Sequence, residues 1–151
     1  MTAEVSSLPQ TELVTPHVIP LETSFALPRS LHTTAHLHLT FLETCSMVFV
    51  TTTTPGDSTA SAKPMGSFVY AMPDRTSPTS TISTTIYTSP SSIEYTARIA
   101  KIVARRMNRP VYVGCSIDAN GLGLTIDEEM AGLKKIIDSI MERWEKRMQP
   151  N

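Results

Sequence analysis

Two histidines, His36 and His38, are the residues whose type and spacing come nearest to a metal site. A spacing of two puts both imidazoles on one face of a predicted strand, an arrangement that zinc sites use. His32 lies roughly 13 Å from His36 along such a strand, at about 3.3 Å per residue, which is too far to ligate the same ion. With no third ligand, the pattern favours solvated strand histidines over a metal-dependent enzyme that uses His36 and His38.

The other reactive groups have simpler explanations than catalysis. Cys45 falls in a predicted turn and Cys115 on the apolar face of a predicted strand, with no paired base and no C-x-x-C spacing, so both read as reduced thiols. The segment Gly121–Gly123 lacks the third glycine and the Lys-Ser/Thr ending of a phosphate-binding loop. Carboxylates over Asp127–Glu129 suit the first turn of a helix. The sequence therefore predicts no catalytic residue, no metal and no cofactor.

The most distinctive charged surface in the sequence is a row of basic side chains along a predicted helix over residues 92–109. Its members are Arg98, Lys101, Arg105, Arg106 and Arg109. A solvated helix face explains such a row, and docking to an acidic protein surface is the sharper interpretation, because charge guides encounter and orientation. On that interpretation the partner-binding residues are Arg98, Lys101, Arg105 and Arg109.

A nucleic-acid-binding module that uses this basic helix is the alternative. Five phosphate contacts would give a salt slope of about −4.5 on duplex DNA. The helix has no interleaved aromatic side chains, and the chain carries 13 basic and 14 acidic residues for a net charge of −1. We therefore expect no nucleic-acid partner.

The basic helix needs an apolar face to hold it in place. A capping box over Ser91–Glu94 predicts a start near Ser92, and the Arg109-Pro110 junction predicts the end. Its predicted core positions are Ile93, Ala97, Ala100, Ala104 and Met107. A strand over 111–117 should follow, with Val111, Val113, Cys115 and Ile117 on its buried face.

A second, longer helix is predicted near the end of the chain. Thr125–Glu128 forms another capping box, with basic residues near the far end of the helix as its dipole favours. One apolar stripe runs along this helix and is expected to be core: Ile126, Met130, Leu133, Ile137, Ile140 and Trp144.

The first two thirds of the chain predict strands. Pro16–Leu27 suggests an edge or irregular strand, Thr34–Leu42 and Met47–Val50 suggest a hairpin, and Ser67–Met72 alternates as a further strand. The Ser/Thr-rich stretch around Thr81–Tyr87 suits a disordered linker or an exposed strand, and we favour the strand.

The fold class is α+β, an antiparallel sheet or sandwich of about six strands with two amphipathic helices; a mixed sheet in a two-layer α/β sandwich is the alternative.

Length and composition suit one domain. The chain has 151 residues, of which 40% are hydrophobic, enough for one modest core. We expect a disordered lead over residues 1–15, a single domain over 16–148 and a tail over 149–151. No secretory signal and no membrane-spanning run of about 18 apolar residues is visible, so we expect an intracellular protein without a membrane partner.

Two segments of the chain carry a family pattern: HLHLTFLETCSMVFVTTTTPG from His36 to Gly56, and SSIEYTARIAKIVARRMNRPVYVGCSID from Ser91 to Asp118. Together they resemble the fourth proteasome assembly chaperone family in its fungal form. The resemblance rests on the strand hairpin, a Ser-rich entry to a basic helix that ends in Arg106-Met107-Asn108-Arg109, and the V-Y-V strand at Val111–Val113 before a terminal helix. It covers about two thirds of the chain.

This resemblance implies an ATP-independent chaperone, not an enzyme, in the cytoplasm and nucleus. It implies a heterodimer with a sister chaperone, the third of the set, that binds an α-type subunit of the 20S core, the fifth. The pair would promote assembly of the α-ring and leave as the β subunits arrive. The residues do not indicate which strand edge or helix forms the seam of the heterodimer.

Overall fold

The computed structural model describes residues 18–58 and 62–149, in which six strands and two helices follow one another. The predicted lead over residues 1–15 lies outside the described residues, as do residues 150 and 151 of the predicted tail. In chain order the elements are β1 (Leu21–Leu27), β2 (Ser30–Phe41), β3 (Ser46–Thr53), β4 (Ser67–Pro73), β5 (Thr81–Tyr87), α1 (Ile93–Met107), β6 (Val111–Cys115) and α2 (Ile126–Met148).

The strands form one sheet in the order β1-β2-β3-β6-β4-β5. β1 is an edge strand, and the hairpin of β2 with β3 and the strand at β5 are present as predicted. β6 pairs parallel to β3 and antiparallel to β4, because α1 carries the chain back across the sheet before β6 enters between them. The α+β class with six strands and two helices is confirmed, and the sheet is mixed rather than purely antiparallel.

Both helices pack on the same face of the sheet. α1 lies against β4, β5 and β6, and α2 lies against β1 and β2. Alternate side chains of the central strands point into this layer and are buried, as a period of two requires. They include Leu37, Leu39, Val48, Val50, Val69, Ala71, Val111, Val113 and Cys115. The predicted buried face of the strand after α1 is thereby confirmed, including Ile117, which is buried although it lies beyond the end of β6.

α1 buries a broader face than the sequence predicted. Ala100, Ala104 and Met107 are buried as expected, whereas Ile93 and Ala97 are only partly buried. The larger side chains Tyr95, Ile99 and Val103 are buried with Thr96 against the sheet. The helix is therefore rotated toward its bulkiest apolar residues, which bury the most area.

The ends of α1 are determined by contacts that local patterns did not show. Ser92 is the N-cap, but its side chain makes no capping hydrogen bond, so the predicted capping box at Ser91–Glu94 is wrong. Ser92 Oγ instead accepts from the backbone N–H of Ser67 at 3.1 Å and lies 2.9 Å from Ser67 Oγ. The helix ends at Met107, and Asn108 adopts a left-handed conformation with φ 54° before the Arg109-Pro110 junction.

α2 begins at the predicted capping box. Thr125 Oγ1 accepts from the Glu128 N–H at 3.3 Å, and the Glu128 carboxylate accepts from the Thr125 N–H at 3.1 Å. Among residues 18–58 and 62–149, no helix combines the length and apolarity needed to cross a membrane.

The predicted stripe of α2 is core in only part of its length. Leu133, Ile137 and Ile140 are buried, and Trp144 packs against Phe41 at 5.3 Å between ring centroids. The prediction was wrong for Ile126 and Met130, which are 79% and 52% exposed. Ile136 and Met141 fill the core instead; burial starts at Gly132, so the first turns of α2 lie outside the core.

The two serines before α1 give a direct test of how this helix is anchored. Ser92→Ala should lower the free energy of unfolding by about 1–3 kcal/mol, because it leaves the buried N–H of Ser67 without its acceptor. Ser91→Ala, at an exposed position, should change it by less than about 0.5 kcal/mol. Urea denaturation of both variants decides the point. A larger loss of unfolding free energy for Ser91→Ala than for Ser92→Ala would support the capping box at Ser91–Glu94 instead.

Candidate protein interface

The sheet face opposite the helices carries aromatic side chains. A sheet face that remains in water is ordinarily polar. Here Phe49 of β3, Phe68 and Tyr70 of β4 and Tyr112 of β6 project from this side and are only partly buried. No helix or strand within the described residues covers them, and the loop residue Met65 lies beside Gly114 on this side. We call the surface formed by Phe49, Phe68, Tyr70 and Tyr112 the open aromatic face.

A glycine at the centre of the sheet makes the open aromatic face possible. Gly114 pairs directly with Phe49 on one side and with Phe68 on the other. The two phenyl rings stack 6.1 Å apart with their planes 6° from parallel. A Cβ atom at Gly114 would lie 2.6 Å from Cδ1 of Phe49, so any side chain there would displace the ring. The glycine lets the rings of neighbouring strands meet above β6.

Contacts between rings continue along the sheet. Tyr112 lies 5.9 Å from Phe68 and 4.8 Å from Tyr70 between ring centroids. These are distances at which aromatic pairs attract beyond the area they bury. The rings therefore hold one another in position before any partner arrives.

The apolar surface extends from the open aromatic face to the edge strand β5. Ile82 pairs with Met72, and an irregularity in the register of β4 places Tyr87 opposite Phe68. Ile82 is 50% and Tyr87 60% exposed. Contiguous exposed apolar side chains of this kind mark protein-binding surfaces.

Sequence reasoning found these strands but not their uncovered face. A signal was available, because β3 and β4 carry bulky apolar residues on both faces: Val48 beside Phe49, and Val69 beside Phe68 and Tyr70. A strand that is apolar on both faces needs two layers to cover it. The two helices within residues 18–58 and 62–149 supply one layer.

The candidate zinc ligands take part in other contacts. His36 hydrogen-bonds through Nδ1 to Ser24 Oγ at 2.7 Å and through Nε2 to Thr53 Oγ1 at 2.8 Å. His38 Nε2 lies 3.8 Å from a carboxylate oxygen of Glu22. In the part of the chain that the structure describes, no group of three or more His, Cys, Asp or Glu side chains is placed to hold a metal ion.

The remaining reactive groups also lie in structural positions. Burial raises the pKa of the Cys115 thiol to about 11, so it stays protonated near neutral pH. An Asp118 carboxylate oxygen accepts from the N–H of Gly121 at 2.9 Å and holds the turn in which a phosphate loop was considered. Glu128 is used in the capping box of α2.

The basic side chains of α1 divide into two groups. Arg98 Nη1 lies 3.5 Å from Glu129 Oε1, and Arg106 Nη1 lies 3.7 Å from Asp138 Oδ1, so both pair with α2. Lys101 and Arg105 are exposed and make no ion pair within the described residues. The structure thus brings Arg98, Lys101 and Arg105 together on the helix side of the molecule.

Arg109 is separated from the other candidate partner-binding residues. Its guanidinium donates to the backbone carbonyls of Leu42 at 2.7 Å and Cys45 at 3.0 Å, and it lies 4.9 Å from the centre of the Trp144 ring. Partial burial lowers the pKa of Arg109. This one side chain joins the end of α1, the turn between β2 and β3, and α2.

The chain is an α+β domain with an uncovered aromatic face, and comparison with known families shows which family has this sequence pattern. Residues 34–117, more than half of the chain, match the family model for proteasome assembly chaperone 4. The matched span runs from within β2 past the end of β6 and contains all four residues of the open aromatic face. The chain belongs to the proteasome assembly chaperone 4 family.

A solved structure shares this fold. It is described as the crystal structure of a novel chaperone complex for yeast 20S proteasome assembly. The similarity has a TM-score of 0.57 at 17% sequence identity and covers 87% of this chain and 98% of the yeast chain. At that identity the likeness shows the fold. No curated protein sequence matches the chain significantly.

The internal contacts of Arg109 generate a prediction about stability. Arg109→Gln should lower the free energy of unfolding by about 1.5–3 kcal/mol, the range for hydrogen bonds made by a charged group. Arg105→Gln removes the same charge from an exposed position and should change it by less than about 0.5 kcal/mol. Chemical denaturation compares the pair, and equal stability of both variants would contradict the structural role of Arg109.

Proposed function

We propose that this chain pairs with a sister chaperone and holds an α-type subunit of the 20S proteasome while the α-ring assembles. It acts without ATP and without catalysis, in the cytoplasm and nucleus. By family resemblance the subunit is the fifth of the α-ring. The observation that carries the proposal is the open aromatic face on a member of the proteasome assembly chaperone 4 family.

The open aromatic face is the surface we assign to the sister chaperone. Interface centres are enriched in aromatic side chains and depleted of charge, as this face is. The rings are already packed against one another, so little side-chain entropy remains to be lost on binding. A second sheet laid on this face would supply the layer that β3, β4 and β6 lack.

The helix side is the surface we assign to the α-type subunit. Lys101 and Arg105, with Arg98 beside them, lie on α1, which packs on the opposite face of the sheet from the open aromatic face. A chain arranged in this way can bind both proteins at once. The basic side chains would guide encounter with an acidic surface and contribute orientation more than affinity.

Co-purification tests the proposal. The chain is co-expressed with the sister chaperone and the fifth α-type subunit, and Tyr112→Glu is compared with Met148→Glu. Tyr112→Glu should weaken binding of the sister by about 30-fold or more, the change for a hot-spot residue worth about 2 kcal/mol. Met148→Glu changes an exposed apolar residue on α2 and should bind as the unmodified chain does.

Two outcomes of the co-purification would contradict different parts of the proposal. If the unmodified chain retains neither protein, the proposed function is wrong. If Tyr112→Glu retains the sister at full affinity, the open aromatic face is not the seam. A thermal unfolding curve for each variant establishes that the chain tested is folded.

A further inference from the structure

A groove between α1 and α2 on the helix side has an apolar floor. Ile102 of α1 and Met130, Ala131, Leu133 and Ile137 of α2 line it. Its volume is about 540 Å³. The groove is separate from the open aromatic face, because both helices cover the other side of the sheet.

Apolar residues at one end of this groove lie outside the core. Met130 is 52% exposed, and Ile126, one helical turn earlier on the same stripe, is 79% exposed. Helical residues four apart lie on one side of the helix, so the two extend the apolar floor along α2. Methionine adapts its shape to a partner because it is unbranched and flexible.

The charges around the groove favour an acidic occupant. The Arg98–Glu129 and Arg106–Asp138 ion pairs join the two helices one turn before and one turn after Ile102, and the second pair lines the groove. Lys134 also lines the groove, and Lys101 and Arg105 lie on the adjoining exposed side of α1; all three are in no ion pair within the described residues. Against them stands the exposed carboxylate of Asp127, next to Ile126 on α2, so the charge that remains available to a partner is positive overall.

We propose that the groove binds a segment of the α-type subunit in which bulky apolar side chains are flanked by Asp or Glu. This inference rests on the proposed function and names the chemistry by which the subunit is recognised. The apolar side chains enter between Ile102 and Met130, and the carboxylates face Lys101, Arg105 and Lys134. Apolar contact supplies affinity and the basic rim supplies orientation.

The test uses the complete chain in its heterodimer with the sister chaperone, titrated with the fifth α-type subunit. Met130→Lys should weaken binding of the subunit at least about tenfold. Lysine adds positive charge to the rim, so if charge alone determined recognition, Met130→Lys would bind the subunit more tightly. Met148→Lys changes the same residue type at the far end of α2, where it is 62% exposed, and should stay within about twofold.

A second arm tests the rim. Lys101→Glu combined with Arg105→Glu should slow association and reduce its dependence on salt, since rim charges act on the encounter.

Equal binding of the subunit by Met130→Lys and by the unmodified heterodimer would overturn the inference that the groove is the binding site, and would leave the proposed function standing. Failure of the unmodified heterodimer to bind the subunit overturns the proposed function itself. Weakening of the heterodimer by Met130→Lys would show that the groove receives the sister, which also overturns this inference.

Discussion

β6 is the strand on which the rest of the structure depends, because it is apolar on one side and open to neighbouring rings on the other. Val111, Val113 and Cys115 are fully buried beneath the helices. On the opposite side, Gly114 leaves the space in which Phe49 and Phe68 stack. The parallel pairing with β3 and the antiparallel pairing with β4 join the two halves of the sheet through this strand. Without it, the hairpins would be separate and the open aromatic face would not exist.

A single sheet with helices on one face has two chemically different sides. One carries the open aromatic face, with His38 and Glu22 beside it on β2 and β1, and the other carries exposed basic residues with an apolar groove between two helices. Two proteins can therefore bind without competing for the same surface. This arrangement suits a chaperone of the proteasome assembly family, whose proposed work is to hold partners reversibly rather than to transform a substrate.

Patterns set by neighbouring residues were the ones that sequence could predict. The capping box at Thr125 and Glu128, the buried alternation of Val111 and Val113, and the strand at Thr81–Tyr87 all follow from local chemistry. The predictions were wrong where contacts between distant parts of the chain determine the structure. Ser92 bonds to Ser67 across 25 positions, and Ile126 stays exposed although its stripe matches the core. The parallel entry of β6 depends on which strands become neighbours, and no local pattern encodes that. The open aromatic face did have a local sign, the bulky apolar residues on both faces of β3 and β4.

The most direct measurement of the central claim is hydroxyl-radical footprinting of the chain alone and in complex with the sister chaperone. We expect Phe68 and Tyr112 to react in the free chain and to become strongly protected in the complex, while Met148 on α2 reacts equally in both. Unchanged labelling of Phe68 and Tyr112 in a complex whose mass shows it to be intact would contradict the account.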